Sequence, residues 1–396
     1  MSVWSSLVGQ DAAVAKLSEA AASARAIVAS RGSGRTSDEA RSMSHAWLIT
    51  GPPGSGRSVA ARAFAAALQC TGATPGCGQC PGCRTTMGRT NADVLFAATE
   101  TSIINVETAR SLVLQAQSSP SQGLWRVIVV EDADRLGESG ANALLKAIEE
   151  PPEHTVWLLC APSPEDMIAT IRSRCRHLGL RIPTATAVAD LLVCEGVATP
   201  EVALEAARAA QSHIGLARAL ARDPQMRERR RNIITAPASV RSVGEAVMAA
   251  DRLLETAKAQ ADAQVSDRNA REKADLLRQL GMEEGESATK ASRTMLRQLE
   301  EDQKRRSKRA LTDAIDRALI DLLAIYRDIL MVQVGGDGEL INTDLSELVH
   351  QIAHDSTPHQ TLARVDHIET ARKRLVANGN PLLVLEDMAI SLRPQA

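Results

Sequence analysis

The chain has 396 residues, which is enough for two or three domains with separate hydrophobic cores. Its formal net charge is −2 and aromatic residues make up only 2% of it, so we expect neither a global positive field nor aromatic platforms that stack on single-stranded nucleic acid. No apolar run is long enough to span a membrane and the start, MSVWSSLVGQD, lacks the pattern of a secretion signal, so we expect a cytoplasmic protein with no membrane contact.

Four short apolar runs recur in the first half of the chain, with helical patterns between them. Such runs, apolar throughout rather than alternating, are typical of strands that are buried on both faces of a parallel sheet. The first 180 or so residues are therefore predicted to form an α/β layer. The four runs are HAWLIT at 45–50, DVLFAA at 93–98, RVIVVE at 126–131 and TVWLLCA at 155–161.

The glycine-rich segment GPPGSGRS at 51–58 lies between the first predicted strand and a predicted helix. A turn in this position exposes backbone N–H groups and a helix N-terminus to an anion, and Gly51, Gly54 and Gly56 allow a phosphate to approach closely. The alternative is a Gly-Pro turn unrelated to nucleotides. The position between strand and helix favours a phosphate-binding loop.

This loop fits the pattern G-x-x-x-x-G-K-[ST] except that Arg57 stands in place of the lysine. A guanidinium keeps the charge but is a wide planar group instead of a compact ammonium. Ser58 could still hold a magnesium ion. We therefore expect ATP binding to be weakened or absent.

Four cysteines lie in CTGATPGCGQCPGC, separated by six, two and two residues. Four thiolates in a loop rich in glycine and proline can close around one tetrahedral Zn²⁺ with no open position, which is typical of a structural site. Free thiols or a redox pair are the alternative. Cys160, Cys175 and Cys194 lie in apolar or helical contexts and are predicted to be small buried side chains. The predicted zinc ligands are Cys70, Cys77, Cys80 and Cys83.

The third predicted strand ends in Glu131-Asp132. In a nucleotide hydrolase, one carboxylate at this point orients magnesium and the next polarises the attacking water. The order here is the reverse of the expected Asp-Glu. Asp132 is one methylene shorter than the expected glutamate, and rates depend on placement to about 1 Å. An ordinary acidic surface turn is the alternative.

The β-type runs stop after about residue 181, and the remaining chain shows helical spacing of Ala, Leu, Arg and Glu. The strip at about 258–309 is densely charged and has few large apolar residues. It is interpreted as a long solvated helix or a partly disordered insertion, with a DNA-binding arm as the alternative.

The segments NALLKAIEEPPEHTVWLLCA and PEDMIATIRSRC resemble the clamp-loader branch of the AAA+ proteins, in which LLK-x-[LI]-EEPP and a later SRC recur. The start LVGQDAAVAKL is similar to the family's VGQ segment, and the cysteine loop lies where bacterial clamp-loader subunits carry zinc. The resemblance covers about residues 7–220. It implies an AAA+ core with a zinc module, an all-α lid and an all-α collar.

Within this family, the motor subunits gamma and tau are expected to carry an intact lysine, an Asp-Glu pair and a threonine that senses the γ-phosphate. Here the sensing segment is CAPSPED, with Ala161 and Pro162 near the expected position. These departures favour the non-motor, delta-prime type of subunit in the DNA polymerase III holoenzyme. The resemblance therefore implies no ATPase activity of its own.

Two arginines receive roles from the resemblance alone. Arg174, in the SRC triplet, corresponds to an arginine finger that reaches the γ-phosphate held by a neighbouring subunit. HIGLARAL resembles the second sensor of the lid, in which Arg218 would point at the chain's own nucleotide pocket or, if that pocket is defunct, pair with an acidic residue.

The resemblance implies three domains, a core at 1–181 with its zinc module at 70–83, a lid at 182–240 and a collar at 241–396. The implied function is to help load a sliding clamp onto primed DNA, with gamma/tau and delta subunits as partners. A gamma/tau-type motor that tolerates Arg57, and a non-replicative AAA+ scaffold, are the alternatives.

Overall fold

The computed structural model describes residues 2–30, 42–97, 104–280 and 290–393, with side chains from 292 in the last range. Contacts divide the chain into two compact units, Met1–Arg218 and Ala219–Ala396. The division into three domains stays a prediction.

The first unit contains a parallel five-stranded sheet with the order β2-β3-β4-β1-β5. The four apolar runs supply the first four strands, although residue 98 of the second run lies outside the described residues. The sequence did not reveal the short edge strand β5, which pairs with β1. The strands are β1 Ala46–Thr50, β2 Val94–Ala97, β3 Arg126–Val130, β4 Thr155–Ala161 and β5 Arg176–Gly179.

Alternate residues of each strand pack on opposite faces of the sheet, because successive side chains of a strand point to opposite sides. Trp47 and Ile49 of β1 belong to the core on one face, and Leu48 belongs to the core on the other. The two cores bury the sheet on both sides, as the apolar runs predicted. The predicted α/β class is confirmed.

Nine helices of the described residues lie wholly or partly in the first unit. They are α1 Asp11–Ala29, α2 Arg57–Leu68, α3 Pro81–Met87, α4 Val106–Ala116, α5 Glu138–Glu149, α6 Ala169–Arg172, α7 Ala185–Cys194, α8 Pro200–Ala209 and α9 Ile214–Arg222. The helix α2 is buried on nearly all sides, since small alanines let it lie close to the sheet. Phe64 on this helix makes an edge-to-face contact with Trp47, with ring centroids 5.2 Å apart.

The described part of the second unit is helical, as predicted. The helix α12 contributes more buried residues to the core of this unit than any other helix does, and these residues, such as Leu319 and Ile329, pack against the other helices. No described helix in either unit has both the length and the apolarity needed to cross a bilayer. The further helices are α10 Pro224–Ser239, α11 Val243–Gln279, α12 Lys290–Gln333, α13 Ser346–Asp355, α14 Pro358–Val376 and α15 Pro381–Ser391.

The charged strip covers the C-terminal part of α11 and the N-terminal part of α12, with 281–289 outside the described residues. Among the described residues, no hydrophobic side chain between Val265 and Ala310 is buried. Contacts between the two helices in this region include polar ones, such as Arg306 Nη1 with Asn269 Oδ1 at 2.8 Å and with Glu272 Oε2 at 2.8 Å. The strip is thus helical where it is described, and the interpretation as a solvated helix fits it.

We predict that replacing residues 266–306 with a short Gly-Ser linker leaves the thermal unfolding midpoint nearly unchanged. The segment buries no hydrophobic side chain among its described residues, so its loss removes little hydrophobic stabilisation. Differential scanning calorimetry measures the midpoint. Leu319→Ala, in the buried part of α12, is the matched control and should lower the free energy of unfolding by about 2–5 kcal/mol, and with it the midpoint. A comparable loss in the linker variant would show that the strip contributes to the core.

Candidate functional site

The glycine-rich loop joins the end of β1 to the start of α2, as predicted. Gly54 and Gly56 have φ angles of 90° and 89°, which favour glycine because other residues are strained there. A Cβ atom on Gly54 would also lie 3.0 Å from the Cα of His213, just before α9. Gly56 forms the N-cap of α2. The loop therefore has backbone conformations at Gly54 and Gly56 that require glycine, and it leads directly into the N-terminus of α2.

Arg57 turns back onto the loop that precedes it. Its Nη1 donates a hydrogen bond to the carbonyl oxygen of Gly51 at 2.6 Å. The N–H of Gly51 donates to the carbonyl oxygen of Pro162 at 3.1 Å, so the segment with Ala161 and Pro162 is bonded to the loop. Ser58 lies half-buried in the first turn of α2. A phosphate would have to compete with the loop for the Arg57 guanidinium.

Glu131 is drawn into an ion pair with Arg89, with 2.5 Å between Nη2 and Oε1. Burial raises the pKa of Glu131 above that of an ordinary glutamate, and the charge of Arg89 partly offsets this effect. Arg62, on α2, is a further cation close enough to lower the same pKa. The carboxylate of Glu131 therefore already interacts with arginines of its own chain. Asp132 follows at the start of the turn Ala133–Arg135.

The altered loop and the acidic pair meet around the end of β4. Burial raises the pKa of the Cys160 thiol to about 12. The charge of Glu131 contributes to this increase, whereas the charge of Arg57 opposes it. The structure thus brings Arg57, Glu131 and Asp132, three of the residues that the sequence assigned to one degenerate nucleotide site, close to the same thiol.

Gln10, in the VGQ segment, is a buried residue to which sequence reasoning gave no role. Its Nε2 donates to the carbonyl oxygens of Ser55 at 3.3 Å and of Arg181 at 2.5 Å, and its Oε1 accepts from the N–H of Arg181 at 3.2 Å. One side chain therefore ties the glycine-rich loop to the chain that follows β5. The only sign of this role in the sequence was that Gln10 belongs to the VGQ segment.

Arg218 pairs with an acidic residue, one of the two outcomes considered from the sequence. Its Nε and Nη2 donate to the two carboxylate oxygens of Glu195, at 2.9 Å and 2.8 Å. Such a two-point arrangement satisfies both donors at that edge of the guanidinium. In this conformation, Arg218 is engaged by Glu195 at the end of α7.

Arg174 lies between α6 and β5, and 37% of its side chain is exposed. Its Nε donates to Oε1 of Glu149, the first glutamate of the EEPP segment. Its Nη1 donates to the carbonyl oxygen of Thr170 at 2.8 Å and contacts Oγ of Ser173 at 3.2 Å. The two motifs that carried the family resemblance, EEPP and SRC, are thus in direct contact.

The four predicted zinc ligands come together in one cluster, directly after α2. All four sulfur atoms lie within 4.8 Å of one another, with Cys70 and Cys80 at 3.9 Å and Cys77 and Cys83 at 4.0 Å. A tetrahedral ion with Zn–S bonds of about 2.3 Å requires sulfur separations of about 3.8 Å. The cluster therefore fits a zinc ion.

The surroundings of the cluster favour thiolate at one position. Burial opposes ionisation of Cys80, but its sulfur accepts from backbone N–H groups, including that of Cys83 at 3.4 Å, and the pKa falls to about 5. Cys80 is also the N-cap of α3, where the helix dipole favours negative charge. A thiolate is the form that binds the metal.

The N-terminal segment and α1 hold the cysteine loop in place. The N–H of Val3 and the Oγ of Ser2 both donate to the carbonyl oxygen of Gly76 at 3.0 Å. Arg25 donates to the carbonyl oxygens of Ala73 at 2.8 Å and of Cys70 at 2.9 Å. The loop is thus fixed by contacts besides any metal.

The remaining cysteines only partly follow the prediction of burial. Cys160 is buried and Cys175 is half-buried, but Cys194 is exposed. The prediction for Cys194 was wrong because this residue ends α7, whose buried face is formed by Val188, Ala189 and Leu192.

Comparisons with known proteins support the resemblance in the first unit. Residues 35–184 match the family model described as DNA polymerase III, delta subunit. The chain is 34% identical over 165 residues to the DNA polymerase III subunit delta' of Pseudomonas aeruginosa, a match that covers 41% of this chain and 50% of that protein. It is 36% identical over 143 residues to subunit delta' of Yersinia pestis, covering 35% and 42%.

The motor type of subunit is also among the relatives. The chain is 35% identical over 165 residues to the DNA polymerase III subunit gamma/tau of Mycobacterium bovis, a match that covers 40% of this chain and 28% of that protein. The chain thus spans half or less of the length of these relatives. The matches support a clamp-loader AAA+ subunit similar to delta', and they include both types.

We predict one zinc per chain, because the four sulfurs lie within 4.8 Å of one another and two of their pairs lie near the separation of a closed tetrahedral site. Elemental analysis of protein purified without added metal measures the content. Cys80→Ser should lower it well below one equivalent. Cys194→Ser, an exposed cysteine outside the cluster, is the control and should leave it unchanged. A low content that Cys80→Ser does not reduce would rule out the site.

Proposed function

We propose that this chain, a clamp-loader AAA+ protein similar to delta', is a non-motor subunit of the replicative clamp loader. In this role it helps to place a ring-shaped sliding clamp on primed DNA and supplies Arg174 to the nucleotide site of a neighbouring ATPase subunit. Its partners are subunits of the gamma/tau and delta types, and the chain acts in the cytoplasm as part of the DNA polymerase III holoenzyme.

The observation that carries this proposal is that both charged elements of the nucleotide site are engaged within the chain. Arg57 donates to the carbonyl oxygen of Gly51, and Glu131 pairs with Arg89. A hydrolase needs a cation on the phosphates and a carboxylate that orients magnesium, the positions at which Arg57 and Glu131 stand. Since both groups have other partners here, ATP turnover by this chain is disfavoured, and zinc remains the proposed cofactor.

Arg174 is the group through which such a subunit can still take part in catalysis. Its guanidinium is charged at all relevant pH values, presents several donors and is partly exposed at the end of α6. An arginine that reaches the γ-phosphate from outside contributes about 10³ to 10⁵ in rate in other nucleotide hydrolases. The chain can therefore activate a neighbour while hydrolysing nothing itself.

The proposed domain roles follow the family resemblance. The core at 1–181 holds the degenerate site and the zinc module, the lid spans 182–240, and the collar at 241–396 holds the ring of subunits together. Loading of the clamp onto primed DNA is then a property of the whole assembly.

A gamma/tau-type motor is the second candidate, because a gamma/tau subunit matches this chain at 35% identity. It requires that Arg57 leave Gly51 and serve the phosphates in place of lysine. Arg57 and Glu131 would both have to exchange their partners before a working site could form. The non-motor role requires no such rearrangement.

We predict negligible ATP turnover by the isolated chain. Arg57→Lys alone should not restore it, because Glu131 remains paired with Arg89 and Ala161 still replaces the sensing threonine. A steady-state phosphate-release assay, with a loader motor subunit as positive control, measures the rate. Turnover by the unmodified protein at the rate of that motor would favour the gamma/tau candidate.

We predict that Arg174→Ala leaves the chain folded and able to enter the loader but strongly lowers the ATPase of the assembly. The exposed side chain contributes little to stability, whereas its charge stabilises the transition state at the neighbour's γ-phosphate. Reconstitution with partner subunits, clamp and primed DNA allows hydrolysis and clamp loading to be measured together. Only the site that faces this subunit is affected directly, so loading should fall more than hydrolysis.

Arg172→Ala is the matched control for this experiment. Arg172 is exposed in the same turn and makes only a 3.4 Å contact with the carbonyl oxygen of Pro164. Both activities should match those of the unmodified assembly. Normal assembly together with unchanged activities for Arg174→Ala would exclude the proposed role of Arg174.

A further inference from the structure

We infer that Glu149 is a positioning residue that holds Arg174 in the orientation needed by a neighbouring nucleotide site. This inference rests on the proposed role of Arg174 and adds the residue that prepares it. Glu149 is the last residue of α5, and its Oε1 accepts the hydrogen bond from Nε of Arg174.

The contacts of Arg174 engage two of the three nitrogens of its guanidinium. Nε bonds to Glu149, and Nη1 bonds to the carbonyl oxygen of Thr170 and to Ser173. Nη2 makes no hydrogen bond to any residue that the structure describes. The side chain is therefore anchored through Nε and Nη1, while the Nη2 donors remain available to a phosphate.

Arg218, in the same unit, is held by its carboxylate in a different way. Its Nε and Nη2 both bond to the carboxylate of Glu195. A carboxylate that held Arg174 back would be expected to engage it in the same two-point way. Glu149 instead accepts one hydrogen bond, from Nε of Arg174, and this supports an anchoring role.

The ion pair between Arg174 and Glu149 contributes little to the stability of the fold. Exposed ion pairs contribute little to stability, and the exposed fractions of the Arg174 and Glu149 side chains are 37% and 41%. The carboxylate also lies at the C-terminal end of α5, where the helix dipole disfavours negative charge. A functional reason for the pair is therefore needed.

Positioning supplies that reason. A free arginine side chain populates many rotamers, and this conformational freedom is lost when it binds a phosphate in one geometry. Glu149, Thr170 and Ser173 impose this loss before the neighbour's nucleotide arrives. The transition state then meets a donor that is already oriented.

Glu150 provides a matched control next to Glu149. Both are exposed glutamates at the end of the same helix, but the carboxylate of Glu150 bonds to no described residue. Removal of Glu150 changes the local charge by the same amount without touching Arg174. A difference between the two variants therefore measures the contact and not the charge.

The test compares Glu149→Ala, Glu149→Gln, Glu150→Ala and Arg174→Ala in the reconstituted loader with clamp and primed DNA. For Glu149→Ala, we expect the Arg174-dependent part of kcat to fall about threefold to tenfold, as the loss of an anchored rotamer implies, with KM for ATP unchanged. Glu149→Gln, which keeps a neutral acceptor for Nε, should lose less. Glu150→Ala should match the unmodified assembly.

A double variant separates a specific contact from a general disturbance. In the Arg174→Ala background, Glu149→Ala should cause no further loss, because its effect passes through Arg174. If Glu149→Ala enters the assembly poorly, Glu149→Gln decides the case, since it preserves the shape of the side chain. An unchanged kcat in Glu149→Gln would then contradict positioning.

Other results distinguish this inference from the function on which it rests. A higher kcat in Glu149→Ala would mean that Glu149 restrains Arg174, which overturns positioning. Normal activity of Glu149→Ala together with loss in Arg174→Ala would overturn the inference and leave the proposed function intact. Normal activity of Arg174→Ala would overturn both.

Discussion

The burial of α2 is the constraint on which the candidate sites of the first unit depend. This helix starts at Gly56 in the glycine-rich loop and ends beside Cys70, so a rod of 12 residues, about 18 Å long, joins the loop to the cysteine cluster. Alanines let it pack closely against the sheet, and a larger side chain would force it away. The phosphate loop and the cluster therefore cannot shift independently. Its fully buried alanines are Ala60, Ala61, Ala63, Ala65 and Ala66.

In this unit, the charged side chains of the candidate site are paired within the chain, whereas Arg174 keeps donors without a partner among the described residues. Arg57 and Glu131 lie at the positions that the sequence assigned to nucleotide chemistry, but each has a partner in its own chain. Arg174 is anchored through Nε and Nη1, and its Nη2 bonds to no residue that the structure describes. The inward-facing site is thus satisfied within the chain, whereas the exposed arginine keeps donors for another molecule. This asymmetry is what a subunit that serves its neighbour requires.

Sequence patterns predicted the parts of this molecule that depend on local chemistry. Continuous apolar runs predicted the first four strands, and cysteine spacing predicted the cluster. The edge strand β5 was missed because only Leu178 of its four residues is buried, so it has no apolar run. Its Arg176 instead lies over the ring of Trp47 at 5.0 Å. Pairs such as Glu149 with Arg174 join residues far apart in sequence, and spacing alone does not reveal them.

The packing of the N-terminal segment on the cysteine loop gives the chain an optical reporter. A Cβ atom added to Gly76 would lie 2.7 Å from the indole Nε1 of Trp4, which places this tryptophan against the loop. The other three tryptophans, Trp47, Trp125 and Trp157, are buried and lie in or next to the sheet strands. Local loosening of the cysteine loop would therefore alter the fluorescence of one indole and leave the emission of the others largely unchanged. Intrinsic fluorescence can thus separate local loosening of this loop from global unfolding without any added dye.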